Sequence, residues 1–362
     1  MLFNYIRTSF HRFLSLQPTS SFIPTSATTV TASVKMESQS PCVLVLSGKS
    51  ASEKETVKSL KENASLKLAD NIKLLTLLQS ERRSAKDEFD IDAYMDSLST
   101  TCFGRVLLWS PRLPSTQDVV SLNFCEIPVG SVCIADIQFK GRGRSQNVWE
   151  SPKGGLLFSF TIQMEDGRVV PLVQYVVCLA VTEALKDLAL KNGFPFLDVR
   201  IKWPNDLYLD GLKVGGILCT STYSSKKFNV SVGVGLNVDN DKPATSLNAA
   251  LRKLTFGYQL RREDITSAFF NKFEHLFNIF ENKGFQALEE LYYKTWLHSG
   301  QRVVVQEKNE DQDLLIENVV TVQGLTSSGY LLAIADNGEM FELHPDGNSF
   351  DFFKGLVRRK LT

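Results

Sequence analysis

The sequence predicts an α+β fold: strands, two of them joined in a hairpin, with helices packed against them, followed by a small C-terminal β-barrel. Three observations lead there. Arg200 to Leu218 alternates apolar and polar residues around Asp210-Gly211, the pattern of a β-hairpin with a tight turn. Pro171 to Asn192 carries apolar residues at helical spacing (Leu172, Val176, Leu179, Ala180, Leu185) and ends at Gly193, a residue suited to a left-handed cap. From about His298 the chain becomes a series of short apolar runs separated by Gly turns, such as Arg302-Val-Val-Val-Gln and Tyr330-Leu-Leu-Ala-Ile.

Composition narrows the functional classes. The 362 residues suffice for two domains, and 43% apolar content is ordinary for a globular chain. Formal net charge is zero, unlike the basic footprint of a general nucleic-acid binder. Six scattered cysteines form no Cys-x-x-Cys pair and have no suitably spaced His, which excludes the usual zinc patterns and fits free thiols in a reducing compartment. No apolar run approaches the roughly 18 residues of a membrane span. With four His, no histidine-centred site is expected.

In chain order, residues 1 to about 36 carry Arg7, Arg12, Lys35 and many Ser and Thr, with no acidic residue before Glu37. Phe3, Ile6 and Phe10 would share a helical face away from the arginines, as in an organellar transit peptide for the chloroplast or the mitochondrion. Met36 is a candidate second start, giving a cytosolic form. Cys42 to Ser47 reads as a buried strand. Gly48-Lys49-Ser50 mimics the end of a phosphate-binding loop, but that motif needs Gly where Val43 stands, so a strand and turn before a helix (Glu53 to about Leu60) is expected. Leu66 to Leu78 has helical spacing, Lys86 to Asp92 is acidic and polar, and the whole stretch 37–100 reads as an extension or linker. Val106 to Trp109 is a strand. Pro111 to Gln117 turns into a helix that Ser115 or Thr116 would cap. Ser131 to Phe139 and Leu156 to Gln163 are strands, as is Val230 to Val238, where Gly233 and Gly235 leave room on one face. Glu263 to Trp296 is helical.

Two stretches carry chemistry. In Gln138-Phe-Lys-Gly-Arg-Gly-Arg-Ser-Gln-Asn-Val-Trp149, Gly141 and Gly143 permit positive φ and close approach, while Arg142 and Arg144 offer planar forks for carboxylate or phosphate. About sixty residues later, Lys202-Trp-Pro-Asn-Asp206 leads through the hairpin turn to Lys213-Val-Gly-Gly-Ile-Leu218, which places Lys213 near Asp206.

With Asn147-Val-Trp-x-Ser-Pro between them, these ordered motifs resemble those of the biotin–protein ligase family, also called holocarboxylase synthetases, of the eukaryotic plant type. The likeness covers roughly residues 101 to 355. It implies a catalytic domain over 101–297, a mixed, largely antiparallel sheet with flanking helices related in fold to class II aminoacyl-tRNA synthetases, and an SH3-like domain over 298–362. It further implies that Ser115, Thr116 and Gln117 hold the ureido ring of biotin, that Gln138 and Gly143 line the same pocket, and that Arg142 meets the carboxylate end. Arg144 would meet the phosphates, Trp149 would pack on the nucleotide, and Asn205, Asp206 and Asn237 would contact ATP or the adenylate. Gln117 departs from the family's Asn, and Ser145-Gln146-Asn147-Val148 replaces a Gly and further basic residues.

The implied reaction joins biotin to ATP as biotinyl-5′-adenylate and then passes biotin to an acceptor lysine. Negative charge accumulates on phosphate, so fixed cations and orientation matter more than a covalent nucleophile. Lys213 is the expected bridge between carboxylate and α-phosphate. No protein-held metal site is expected beyond the Mg²⁺ that accompanies ATP. The implied partners are biotin carboxyl carrier domains of enzymes such as acetyl-CoA carboxylase and methylcrotonoyl-CoA carboxylase. No membrane and no DNA-binding helix-turn-helix is expected. A lipoate or octanoate ligase or transferase of the same fold, or a biotin sensor without catalysis, are the alternatives.

Overall fold

The computed structural model describes residues 42–69, 72–76, 88–240, 242, 245–255, 257–309, 314–345, 348–351 and 354–359. The expected targeting segment and Met36 lie outside them. Nine strands build the main sheet: β1 (Cys42–Gly48), β2 (Ile72–Thr76), β3 (Val106–Ser110), β4 (Val132–Ala135), β5 (Gly155–Met164), β6 (Arg200–Lys202), β7 (Asp206–Leu209), β8 (Leu212–Ser224) and β9 (Lys227–Asn237). Their order is β2-β1-β3-β4-β5-β9-β8-β7-β6. Only β1–β2 and β3–β4 run parallel, so the sheet is mixed and largely antiparallel, as expected.

Side-chain alternation along the strands divides the core into two layers. Leu44, Leu46, Val106 and Leu108 face a cluster completed by α1 (Ala51–Glu62) and Val119 and Val120 of α3 (Thr116–Leu122). Val45, Leu107 and Trp109 point the other way, into a larger core with α2 (Ile91–Ser97), α4 (Val173–Asn192) and α6 (Arg262–Lys283). The helices α5 (Leu247–Leu254) and α7 (Glu289–Thr295) complete the set. The residues buried on α4 run through consecutive positions from Tyr175 to Thr182, so this helix is enclosed on nearly all sides rather than amphipathic. A phenylalanine cluster from α6 (Phe269, Phe270, Phe273) packs tilted or edge-on against Phe158 and Phe160 of β5.

The stretch 42–100 contributes more than a linker. β1 pairs with β3 and brings α1 and β2 with it. Gly48 lies against α1: a Cβ there would fall 2.5 Å from the backbone of Glu53. The Gly-Lys-Ser sequence is structural, with Lys49 Nζ donating to the carbonyl of Met95 and Ser50 N–H donating to Glu53 (2.8 Å). One expectation fails here. Residues 72–76, read at helical spacing, form a strand because β1 offers them a parallel ladder, and pairing overrides a weak local pattern. The polar stretch before residue 92 leads into α2, capped by Asp90 and burying Ile91, Tyr94 and Met95 at i, i+3 and i+4.

The C-terminal part is a six-stranded sheet of β10 (Arg302–Asn309), β11 (Leu314–Leu325), β12 (Leu331–Ala335), β13 (Met340–Leu343), β14 (Asn348–Asp351) and β15 (Leu356–Arg359), ordered β13-β12-β11-β10-β15-β14. Among the described residues β13 and β14 do not pair, so the sheet stays open where a closed barrel was expected. The outer strand β13 has only Leu343 buried and leaves Met340 70% exposed, which suits a solvent-facing edge. The hydroxyl of Tyr175 on α4 donates to the carbonyl of Gly329, joining the two sheets.

Candidate active site

A cavity of about 530 Å³ opens where α3, the loop between β4 and β5, and the β6–β8 hairpins converge on β9. Its volume lies within the range of small-molecule sites. Of the residues predicted from sequence, Ser115, Thr116, Gln117, Gln138, Arg142, Gly143, Arg144, Trp149, Asn205, Asp206 and Lys213 all line it. Asn237 does not: it is buried beside the cavity, and its side-chain oxygen accepts a hydrogen bond from Asn240 (2.9 Å).

One end of the cavity is polar and uncharged. Ser115 caps α3, accepting the backbone N–H of Asp118 at 3.4 Å, and also faces the cavity, so both roles anticipated for it coexist. Gln138 Oε1 accepts from the Thr116 N–H (2.7 Å) and hydroxyl (3.0 Å), while its Nε2 donates to Ser151 (3.2 Å). Thr116 also pairs with Ser159 (2.8 Å), a buried hydroxyl in the middle of β5. Gln117 Nε2 donates to Thr220 Oγ1 and the Ser231 carbonyl, both at 3.0 Å. Its Oε1 is buried without a partner among the described residues and so can accept from a ligand N–H.

The other end is cationic, with Arg142, Arg144, Lys202 and Lys213 against the single lining carboxylate of Asp206. Asp210 (φ 50) and Gly211 (φ 76) both adopt left-handed conformations, which matches a type I′ hairpin turn. That turn returns Lys213 to Asp206, Nζ to Oδ1 2.7 Å, with the ammonium 5.4 Å from the Trp149 ring centre. Arg144 donates to Asn205 Oδ1 (2.8 Å) and to the carbonyl of Pro345 (2.9 Å), so the C-terminal sheet supplies one wall. Asn205 is fixed in turn by reciprocal bonds with the backbone of Ile217.

The glycines act differently from the simple expectation. Neither Gly141 nor Gly143 has positive φ; the left-handed residue of the loop is Ser145 (φ 50). Gly141 is needed for close approach, since a Cβ there would lie 2.4 Å from the carbonyl oxygen of Trp149. The space left by Gly233 and Gly235 is occupied by the protein itself. Gln117 Oε1 lies 2.9 Å from where a Gly233 Cβ would be, and the Trp149 ring lies over Gly235 and its cross-strand partner Gly216.

Sequence reasoning missed Ser159, Trp203 and Pro345. A Ser inside an apolar strand was a usable signal for the first. Trp203 precedes a cis Pro204 and is held by His298 Nε2, which accepts its backbone N–H (2.9 Å), and by Tyr175, which accepts its indole N–H (3.0 Å). Burial pushes His298 down to about 4, keeping the imidazole neutral and able to accept. Nothing in the sequence marks Pro345. No group of three or more His, Cys, Asp or Glu side chains placed to hold a metal occurs among the described residues. Asp206 alone suits an Mg²⁺ that arrives with phosphate oxygens, because Mg²⁺ is often held by one carboxylate plus substrate phosphates.

Residues 109–237 match the Biotin/lipoate A/B protein ligase family, and 298–355 match the Biotin protein ligase C terminal domain. The chain is 65% identical over 331 residues to biotin–protein ligase 1, chloroplastic, of Arabidopsis thaliana, covering 90% of each protein. This chain belongs to the biotin–protein ligase family. A second Arabidopsis member, biotin–protein ligase 2, is 64% identical and covered over its whole length. Among solved structures, the biotin protein ligase of Aquifex aeolicus in complex with biotin and ATP shares 27% identity at a TM-score of 0.53, over 70% of this chain and 99% of that one. The fold described above is thus that of an ATP-dependent biotin–protein ligase.

Proposed function

We propose that the cavity binds biotin at its uncharged end and ATP at its cationic end, and that Lys213 bridges the two at the point of reaction. The observation that supports this reading most directly is the polarity of one continuous cavity: the unpartnered amide oxygen of Gln117 at one end, Lys213 against Trp149 at the other. In the first step a biotin carboxylate oxygen bonds to the α-phosphorus and pyrophosphate leaves. In the second an acceptor lysine nitrogen bonds to the biotinyl carbonyl carbon, AMP leaves and the amine loses a proton. Ser115, Thr116 and Gln138 hold the ureido ring, with Gln117 accepting one of its N–H groups. Arg142 holds the carboxylate end. Lys213 neutralises charge on the α-phosphate, and Arg144 orders the loop that covers the adenylate and slows its hydrolysis. Trp149 packs on the nucleotide, Asn205 orients Arg144, and Asp206 accompanies Mg²⁺. Asn237 acts at one remove, through the β9 end against which the nucleotide lies.

The acceptors are biotin carboxyl carrier domains, including those of acetyl-CoA carboxylase and methylcrotonoyl-CoA carboxylase. The name of the Arabidopsis relative supports chloroplast delivery by residues 1–36, with a mitochondrial or Met36-initiated cytosolic form as further products of the same chain. The test incubates the protein with biotin or lipoate, ATP, Mg²⁺ and a carrier domain, and reads the acceptor lysine by mass spectrometry. One added biotinyl group, absent without ATP, is expected. Labelling by lipoate would refute the ring-binding assignment, and biotin binding without labelling would refute catalysis.

A further inference from the structure

Arg142 projects from its loop with a side chain 61% exposed, and one carboxylate reaches it. Asp118, in the first turn of α3, places Oδ1 2.8 Å from Arg142 Nε. The two edges of a guanidinium point in different directions. The closest approach of the pair is made at the Nε edge of the guanidinium, and Arg142 also lines the cavity. The backbone beneath is already closed: Arg142 bridges Val148, the Gly143 N–H donates to Asn147 (2.8 Å) and the Trp149 N–H donates to Gly141 (3.0 Å). The backbone leaves the rotamer of the arginine open, and the ion pair with Asp118 is a contact that bears on it.

We propose that Asp118 is a positioning residue for biotin capture, holding Arg142 by Nε so that its terminal nitrogens are presented to the ligand's carboxylate. This rests on the assignment of Arg142 to that end of biotin. Asp118 directly follows Gln117 in α3, so one short helix sets both the amide that meets the ring and the arginine that meets the carboxylate. An exposed ion pair contributes little to folding. Its effect belongs in binding, because an arginine ordered beforehand has less rotamer freedom to lose when the ligand arrives.

The obvious rival role for Asp118 is helix stabilisation, since an acidic residue in a first turn favours the helix dipole. That role would alter melting and would not depend on Arg142. The test measures biotin Kd by calorimetry, with KM and kcat from pyrophosphate release, on the full chain. Asp118→Asn is expected to raise Kd and KM for biotin about threefold to tenfold, leaving kcat at saturating biotin within about twofold. Asp118→Glu should recover part of the loss. In an Arg142→Met background, Asp118→Asn should change Kd no further. If Asp118→Asn melts early, Asp118→Ser, which suits a helix start, repeats the measurement. An unchanged Kd in Asp118→Asn, or an equal loss with Arg142 absent, would overturn the proposal. A wild-type chain that fails to bind biotin would overturn the ligand assignment and the proposal with it.

Discussion

Gly235→Ala tests whether Trp149 must lie flat on the sheet for ATP to bind. Gly235 of β9 pairs directly with Gly216 of β8, and the indole covers the patch that neither residue fills. A Cβ at position 235 would fall 2.5 Å from Trp149 Cε2 and 2.6 Å from Nε1. Carbon contacts settle at about 3.5–4.0 Å, so the ring must retreat by roughly 1 Å or more. Gly216 stays a glycine in this variant, so the ring is displaced from the position 235 side only and loses the part of its contact with the sheet that lay over that residue. Overpacking of this kind costs about 1–3 kcal/mol. Trp149 stands at the end of the Arg loop rather than in the core, so the cost should appear in nucleotide binding and not in folding. The expected outcome is a KM for ATP raised about fivefold to 150-fold, with biotin Kd within about twofold and an ordinary melting curve. Pyrophosphate release with ATP varied at saturating biotin measures it. A wild-type KM for ATP in a normally melting Gly235→Ala protein would refute the reasoning.

Three further outcomes are expected. Lys213→Ala should fold normally and lose adenylation by about two or more orders of magnitude, the scale on which a single transition-state donor acts; pyrophosphate release near the wild-type rate would show that another cation bridges the substrates. Arg144→Gly removes the bonds to Asn205 and the Pro345 carbonyl together, so the adenylate should dissociate faster and lysine labelling should become less selective; a dissociation rate equal to wild type would contradict this. His298 is held neutral by burial at about 4 against an ordinary 6.5, so its contribution to stability is complete above pH 6.5 and declines as pH falls towards 4. The stability advantage of wild type over His298→Asn should therefore shrink by about 3 kcal/mol between pH 7 and pH 4, read by urea unfolding. Asp136, which burial raises to about 6 against the pull of Arg262, titrates in both proteins and cancels in the comparison.

Local signals made much of the site legible. Asp210-Gly211 specifies a turn with positive φ at both central residues, and that turn alone returns Lys213 to Asp206. Ser115 has the chemistry and the position of a helix cap, and the alternation in β1 and β3 assigns Leu44 and Val45 to opposite faces before any fold is known. Other features depended on distant partners. Residues 72–76 carry no decisive period, and they become a strand only because β1 supplies a ladder. The near-complete burial of α4 follows from α6 lying over it, which no pattern within residues 173–192 encodes.

The family, the cations and the order of the motifs are legible in the residues, because turn geometry, strand alternation and side-chain chemistry act over a few positions. The packing of separate elements makes Gly216 and Gly235 one platform for Trp149, gives Gln117 the room left by Gly233, and brings Pro345, in the turn after β13, against Arg144. It alone brought Asp118 within 2.8 Å of Arg142. Each of these joins residues from separate elements, and such distances are set by how the layers pack rather than by any local conformational preference.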